Sequence, residues 1–198
     1  MNNAFFPRTA LPLCAAAIAA LSLMVGAAQA GPIELVVQPS TDRLDTGDLL
    51  DVEIAISGLD TDELGGFDLS LAFDPVVIQY QTYSLGVELA DPIFGGFDLS
   101  DDSGATSGLL RLAEAATLLD LTSQPNAFVL TTVSFVARQP GTTALTLSSI
   151  DLSDDLGDPL TVDTVSDASA TVPLPGTLLL MPAGIGLLGL RRRRMGRG

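Results

Sequence analysis

The chain has 198 residues, with nine arginines, 24 aspartates and glutamates, one cysteine, no lysine and no histidine. The lack of histidine excludes Ser-His-Asp and Cys-His nucleophile pairs and histidine metal sites, and the single Cys14 has no partner in the chain for a disulfide. All 24 carboxylates lie between Glu34 and Asp167, and that stretch has only three arginines, so its net charge is −21. Such a charge repels nucleic-acid phosphates and argues against a nucleic-acid partner.

The first 30 residues have the pattern of a secretory signal peptide. Arg8 supplies a positive N-terminal region, residues 11–28 form an apolar run, and Ala28 and Ala30 form a small-x-small cleavage site. The mature chain is then expected to begin near Gly31. The alternative is a buried or membrane-spanning N-terminal helix, which fits the small residues at the end of the run less well.

The central part, residues 31–171, consists of short runs rich in Val, Ile, Leu, Thr and Phe between Gly, Pro, Asp and Ser clusters. Within the runs apolar and polar residues alternate, as Phe67, Leu69 and Leu71 do with Asp68, so one face of each strand is expected in a core. With no convincing amphipathic helix, the pattern predicts an all-β sandwich of nine strands. The predicted strands are Ile33–Val37, Leu50–Ile56, Phe67–Phe73, Val76–Tyr83, Gly108–Ala113, Phe128–Ala137, Thr142–Leu147, Leu160–Thr164 and Ala168–Val172.

Two triplets, Asp45-Thr46-Gly47 and Asp102-Ser103-Gly104, have the form that aspartic proteases use to pair two carboxylates. A protease site needs each triplet directly after a hydrophobic strand. Polar residues precede both triplets here, so we interpret the two triplets as turns.

The clustered carboxylates suggest calcium more than catalysis. Oxygen ligands could converge on a structural calcium ion in either of two loops, although neither has EF-hand spacing. The two clusters are Asp98, Asp101 and Asp102, and Asp151, Asp154, Asp155 and Asp158. A glycosidase would need two carboxylates about 5 to 9 Å apart, and the sequence identifies no such pair. The plain alternative is that the acids cap turns and form a solvated surface.

The hexapeptide Gly-Gly-Phe-Asp-Leu-Ser occurs at residues 65–70 and again at 95–100. The flanking residues differ, so we interpret the two copies as similar entries into strands and not as a duplicated domain.

Few aromatic residues are available to stack on a sugar. Without tryptophan, a flat cellulose-binding strip is not expected. The candidates are Tyr80, Tyr83, Phe94 and Phe97. Tyr80 and Tyr83 are predicted to be either half-buried in the sandwich or a small contact patch.

Several segments resemble the cohesin family. Residues 51–58, Asp-Val-Glu-Ile-Ala-Ile-Ser-Gly, are followed by residues 65–75, which end in Phe-Asp-Pro, as in the early strands of that family. Residues 133–145 are similar to one of its late core strands and the turn after it, and residues 151–162 to the Asp- and Gly-containing segment before its last strand. The resemblance implies a nine-stranded jelly-roll sandwich related to carbohydrate-binding modules. It also implies a non-catalytic recognition domain, because true cohesins bind dockerins.

The C-terminal segment has three parts in succession: the motif Val172-Pro173-Leu174-Pro175, an apolar stretch over residues 178–190, and the basic cluster Arg191, Arg192, Arg193 and Arg194. The apolar stretch predicts a membrane helix, and the arginines predict that its end stays in the cytoplasm while the domain lies outside. The arrangement resembles the PEP-CTERM family of bacterial sorting signals in its Val-Pro-Leu-Pro variant, in which an exosortase is thought to cut near the motif.

Two alternatives for this tail stay open. Leu174-Pro175-Gly176-Thr177 is nearly a Gram-positive sortase site, but Leu178 stands where that site needs glycine. The tail could also be a plain membrane anchor that is never cut.

The sequence thus predicts three regions: a signal peptide at 1–30, a cohesin-like β-sandwich at 31–171 and a sorting tail at 172–198. The expected location is the envelope, surface or matrix of a Gram-negative bacterium. The expected partners are an exosortase-type enzyme, the membrane before processing, and a polysaccharide or protein ligand, with a dockerin-like protein as one candidate. We predict no enzyme activity. A structural matrix protein without a specific ligand and a carboxylate-dependent hydrolase are the alternatives.

Overall fold

The computed structural model describes residues 31–118 and 120–174. The predicted signal peptide, with Ala28 and Ala30, lies outside the described residues, as do Pro175 and the rest of the predicted tail, including Arg191, Arg192, Arg193 and Arg194. In the described part of the chain no helix has the length and apolarity to cross a membrane.

The described residues form eleven strands and one short 3-10 turn, Ala105–Ser107. The strands are β1 Glu34–Pro39, β2 Leu49–Ser57, β3 Gly66–Ala72, β4 Ile78–Leu85, β5 Phe97–Asp98, β6 Leu109–Ala115, β7 Ala127–Ala137, β8 Gly141–Ser153, β9 Pro159–Leu160, β10 Thr164–Ser166 and β11 Ala168–Val172. The prediction of an all-β fold is confirmed.

The strands form two sheets. The first sheet has the order β10-β1-β2-β7-β4, and the second has the order β11-β8-β3-β6-β5, with β9 added beside β8. β1 and β10 run parallel, and the other pairs are antiparallel. β4 and β5 are therefore edge strands, one in each sheet.

The core lies between the two sheets. In β2 the alternate residues Leu50, Val52 and Ile54 are buried, as the period-two pattern predicts. Phe135 of β7 is fully buried, and its ring meets that of Phe73 edge to face, with centroids 4.9 Å apart. A T-shaped aromatic pair at this distance adds to the free energy gained by burial alone. The inner faces of both sheets thus supply one hydrophobic core.

The predicted count of nine strands needs correction near the C-terminus. The single predicted strand Leu160–Thr164 is two short strands, because the chain crosses there from β8 in the second sheet to β1 in the first. Asp163 fixes the crossing: its Oδ2 accepts a hydrogen bond of 3.1 Å from the Ile33 N–H. The two-residue strand β5 was also not predicted, since two residues are too few to show a period.

Candidate functional site

Two tyrosines of the edge strand β4 reach across the open side of the sandwich to aspartates of the other sheet's edge, one in β5 and one just after it. The hydroxyl of Tyr83 donates a hydrogen bond of 2.8 Å to Oδ2 of Asp98 in β5. The hydroxyl of Tyr80 donates a longer bond, 3.4 Å, to Oδ2 of Asp102. Both rings are half-buried, which agrees with the predicted sandwich role. Their hydroxyls are engaged by the two aspartates.

These contacts displace the pKa values of the groups involved. Burial, reinforced by the charge of Asp102, raises the pKa of Tyr80 to about 12. Burial and the bond to Asp98 also raise the pKa of Tyr83. Burial opposes ionisation of Asp98, but hydrogen bonds from the Ser100 N–H and from Tyr83 outweigh it and hold the pKa of Asp98 below its usual range. Asp98 is therefore an ionised acceptor at neutral pH.

Glu114 is an acid on the inner face of β6. It follows Leu110 and Leu112 in the inward alternation and is only 3% exposed. Its cross-strand neighbour is Asp98. Burial, together with the charge of Asp98, raises the pKa of Glu114 to about 7. A Cβ atom at Gly96 would overlap Oε1 of Glu114, so glycine lets the chain pass directly over this carboxylate.

The two copies of the hexapeptide present opposite faces to the core. Phe67 of the first copy points inward and is 4% exposed, whereas Phe97 of the second is 60% exposed. The cause is register: Phe67 pairs with Glu114 of β6, whereas Phe97 pairs with Ala115. A shift of one residue moves every side chain to the other face.

The second copy consequently contributes to an exposed apolar surface. We call this surface the apolar margin; its members, which lie before, in and directly after β5, are Ile93, Phe94, Phe97 and Leu99. Beside it, Arg111 of β6 binds Asp68 of β3, with Nε 3.0 Å from Oδ1 and Nη2 bonded to Oδ2. This pair lies on the outer face of the second sheet. We call the apolar margin and the Arg111–Asp68 pair together the docking face.

The acids of the two protease-like triplets lie in separate turns. Asp45 lies before β2, where its N–H donates a bond of 2.9 Å to Oδ2 of Asp48. Asp102 lies before the 3-10 turn and accepts the bond from Tyr80. No hydrogen bond of the described chain joins these two aspartates, and their local bonds support the interpretation as turns.

The predicted calcium ligands are not assembled by the structure. Asp151 lies in β8, and Asp154 uses Oδ1 to accept the N–H groups of Leu156 and Asp158, at 2.9 and 2.7 Å. Asp155 and Asp158 occupy the turn that Asp154 closes. Within residues 31–118 and 120–174 no three Asp, Glu, His or Cys side chains converge as a metal-ligand set. The Asp154 side chain closes this loop by accepting two backbone N–H groups, and the calcium site stays a prediction.

The sequence pattern did not single out Glu114 or Arg111, whereas Phe97 was already among the candidate aromatics. Glu114 carried a usable signal, because the alternation of Leu110 and Leu112 places it at the next inward position. The proximity of Glu114 to Asp98 could not be predicted, because the two-residue strand β5 is too short to show an alternating pattern.

The fold is similar to that of solved cohesins. No protein-family model and no curated protein matches the chain. A type II cohesin domain from the cellulosome of Acetivibrio cellulolyticus is 15% identical, with a TM-score of 0.61 over 70% of this chain and 95% of that one. A non-cellulosomal cohesin from Archaeoglobus fulgidus is 17% identical, with a TM-score of 0.56 over 72% and 92%.

A type I cohesin–dockerin complex from Clostridium thermocellum contains a chain that is 12% identical, with a TM-score of 0.60 over 71% of this chain and 99% of that one. At such identities the likeness concerns the fold alone. The domain has a cohesin-like β-sandwich fold.

Proposed function

We propose that the chain is an exported, non-catalytic recognition module that binds a protein partner through the docking face. The observation that carries the proposal is the apolar margin, in which Phe94 is 84% and Phe97 60% exposed at the edge of an otherwise well-packed sandwich. Contiguous exposed apolar residues rimmed by polar groups mark interaction sites. Aromatic anchors and an arginine are the residues that contribute most to interface energies.

The partner is proposed to be a basic, dockerin-like protein element. The −21 charge between Glu34 and Asp167 disfavours a second copy of this chain and attracts a partner that carries lysine or arginine around an apolar contact. The similarity to a cohesin solved in complex with a dockerin supports the same class of partner. Association should then be faster at low ionic strength, because opposite charges steer the encounter.

Delivery to the cell surface is the second part of the proposal. Residues 1–30 would direct export across the inner membrane of a Gram-negative bacterium, and residues 172–198 would hold the protein at the membrane until an exosortase-type enzyme cuts near Val172-Pro173-Leu174-Pro175. Mass spectrometry of the protein from its host tests this directly. Loss of Ala30 and of Arg191–Arg194 supports it, and retention of the arginines contradicts the removal of the tail.

A hydrolase is not proposed. Asp98 and Glu114 are neighbours whose pKa values are displaced in opposite directions, as acid–base pairs require. Glu114, however, lies under Gly96 and is 3% exposed, so the structure gives a substrate no approach to it.

The docking face is tested by titrating the full-length protein with a purified dockerin domain rich in lysine and arginine. Replacing Phe97 by serine should weaken binding by about tenfold or more, as expected for an aromatic anchor. The matched control is Leu156→Ser, which removes a side chain that is 82% exposed in the turn after β8. Equal losses in the two variants, or no binding of the dockerin by the unmodified protein, would refute the assignment.

A further inference from the structure

A cavity of about 400 Å³ opens between the start of β4, the 3-10 turn and the end of β7. Its apolar walls are Pro75, Val76 and the ring of Tyr80, and its polar groups include Gln79, Thr106 and Arg138. This volume is within the range of small-molecule sites, which combine apolar walls with a few convergent polar groups. The cavity shares no residue with the docking face.

Arg138 is the one charged side chain that lines this cavity. Its Nη1 donates a hydrogen bond of 2.5 Å to Oε1 of Gln79, which orients the guanidinium and leaves its other N–H groups available. In the part of the chain that the structure describes, the only ion pair is Arg111–Asp68. Arg138 therefore has no carboxylate partner there, although carboxylates outnumber arginines eight to one between Glu34 and Asp167.

Backbone hydrogen bonds hold the cavity in shape. The N–H groups of Arg138 and Gln139 donate to the carbonyl oxygen of Val77, at 2.8 and 3.3 Å, and so fasten the end of β7 to the turn before β4. Asp74 closes that turn, since its Oδ1 accepts the Val76 N–H at 2.8 Å. A site whose walls are fixed before binding loses less conformational entropy when a ligand enters.

We propose that this cavity binds the carboxylated ring of an acidic sugar. The guanidinium of Arg138 would take the carboxylate in a bidentate, charge-assisted pair. The ring of Tyr80 with Pro75 offers a face for the C–H groups of the sugar, while Gln139 and Thr106 offer hydrogen bonds to its hydroxyls.

Two carboxylates contact residues of the cavity walls, but each accepts a hydrogen bond from a group other than Arg138. Asp74 accepts the Val76 N–H, and Asp102 accepts the Tyr80 hydroxyl. Neither forms an ion pair with Arg138, so the positive charge is left for a ligand.

The first test uses the unmodified full-length protein, purified in a non-ionic detergent, and isothermal titration calorimetry. Trigalacturonate should bind about tenfold or more tightly than its fully methyl-esterified form, because the ester cannot pair with the guanidinium. Triglutamate, which carries carboxylates without sugar rings, should bind more weakly than trigalacturonate. Equal binding of the ester, equal binding of triglutamate, or no binding of any probe up to about 10 mM would overturn the proposal.

The second test compares arginine variants. Arg138→Gln should abolish the preference for the acid over the ester, and Arg138→Lys should keep part of it, because lysine supplies charge without the planar fork. Arg43→Gln is the matched control, since it removes the same charge from an exposed arginine that does not line the cavity. Loss of the preference in Arg43→Gln would contradict the proposal. If Arg138→Gln fails to fold, Arg138→Lys and the probe comparison still decide the outcome.

Discussion

The hydroxyl of Tyr83 and the carboxylate of Asp98 connect the two sheets at their open edge, through a hydrogen bond of 2.8 Å between β4 and β5. β5 has only two residues and one strand neighbour, β6, so this bond is a substantial part of what holds the segment that carries the apolar margin. The geometry of the proposed docking face thus depends on a contact from the opposite sheet.

Replacing Tyr83 by phenylalanine should lower the free energy of unfolding by about 1 kcal/mol, because Asp98 loses a donor while the ring stays in place. Tyr80→Phe should cost less, since its bond to Asp102 is 3.4 Å long and near the limit for a hydrogen bond. Urea denaturation of the two variants checks the order. A larger loss of unfolding free energy in Tyr80→Phe than in Tyr83→Phe would contradict the role given to the Tyr83–Asp98 bond.

The two copies of the hexapeptide provide a matched pair of substitutions. Phe67→Ala should lower the free energy of unfolding by about 3–5 kcal/mol, because it leaves a cavity in the core. Phe97→Ala should change it by less than about 0.5 kcal/mol, because that ring is in solvent. Thermal and urea unfolding of both variants measure the difference, and similar losses would show that the assigned register of β5 is wrong.

Glu114 should make the domain less stable as the pH rises. Its pKa is raised from 4.5 to about 7, so the folded state favours the protonated form. Below pH 4.5 the carboxyl is protonated in both states and does not lower the free energy of unfolding. As the pH rises to 7, its tendency to ionise lowers that free energy by at most about 3 kcal/mol. Glu114→Gln should therefore gain stability relative to the unmodified protein between pH 5 and pH 8.

Denaturation of Glu114→Gln and the unmodified protein at several pH values tests this. The comparison uses how the free energy of unfolding changes with pH and not its absolute value, because the introduced glutamine amide is itself buried and alters the absolute value. The matched control is Glu53→Gln, which removes a carboxylate from the exposed face of β2. Parallel pH profiles for Glu114→Gln and the unmodified protein would disprove the assignment.

Salt, and not calcium specifically, should stabilise the domain. Raising NaCl from about 0.01 M to about 0.15 M shortens the Debye length from about 30 to about 8 Å, which screens the repulsion among the carboxylates. The melting temperature should rise accordingly. Because Asp154 already accepts two backbone N–H groups, CaCl2 should act like MgCl2 at equal ionic strength. A further rise of the melting temperature with calcium alone would support the predicted calcium site in this loop.

Local patterns in the sequence were enough to predict the all-β class and most strands. In β2 and β3 the alternation is long enough to show which residues face the core, because side chains in a strand point to opposite faces in turn. The proposed export and sorting signals at residues 1–30 and 172–198 also follow from the sequence, since their recognition depends on composition and order and not on a fold.

The orientation of side chains in short or irregular segments depends on their long-range pairing. The same hexapeptide buries Phe67 and exposes Phe97, because the face of a strand is set by its register with a partner strand. Arg138 reaches Gln79, 59 residues away, only because β4 and β7 are neighbours in the first sheet. Composition and local alternation are sufficient to specify an acidic, histidine-free sandwich, whereas long-range strand pairing sets which of its side chains are exposed.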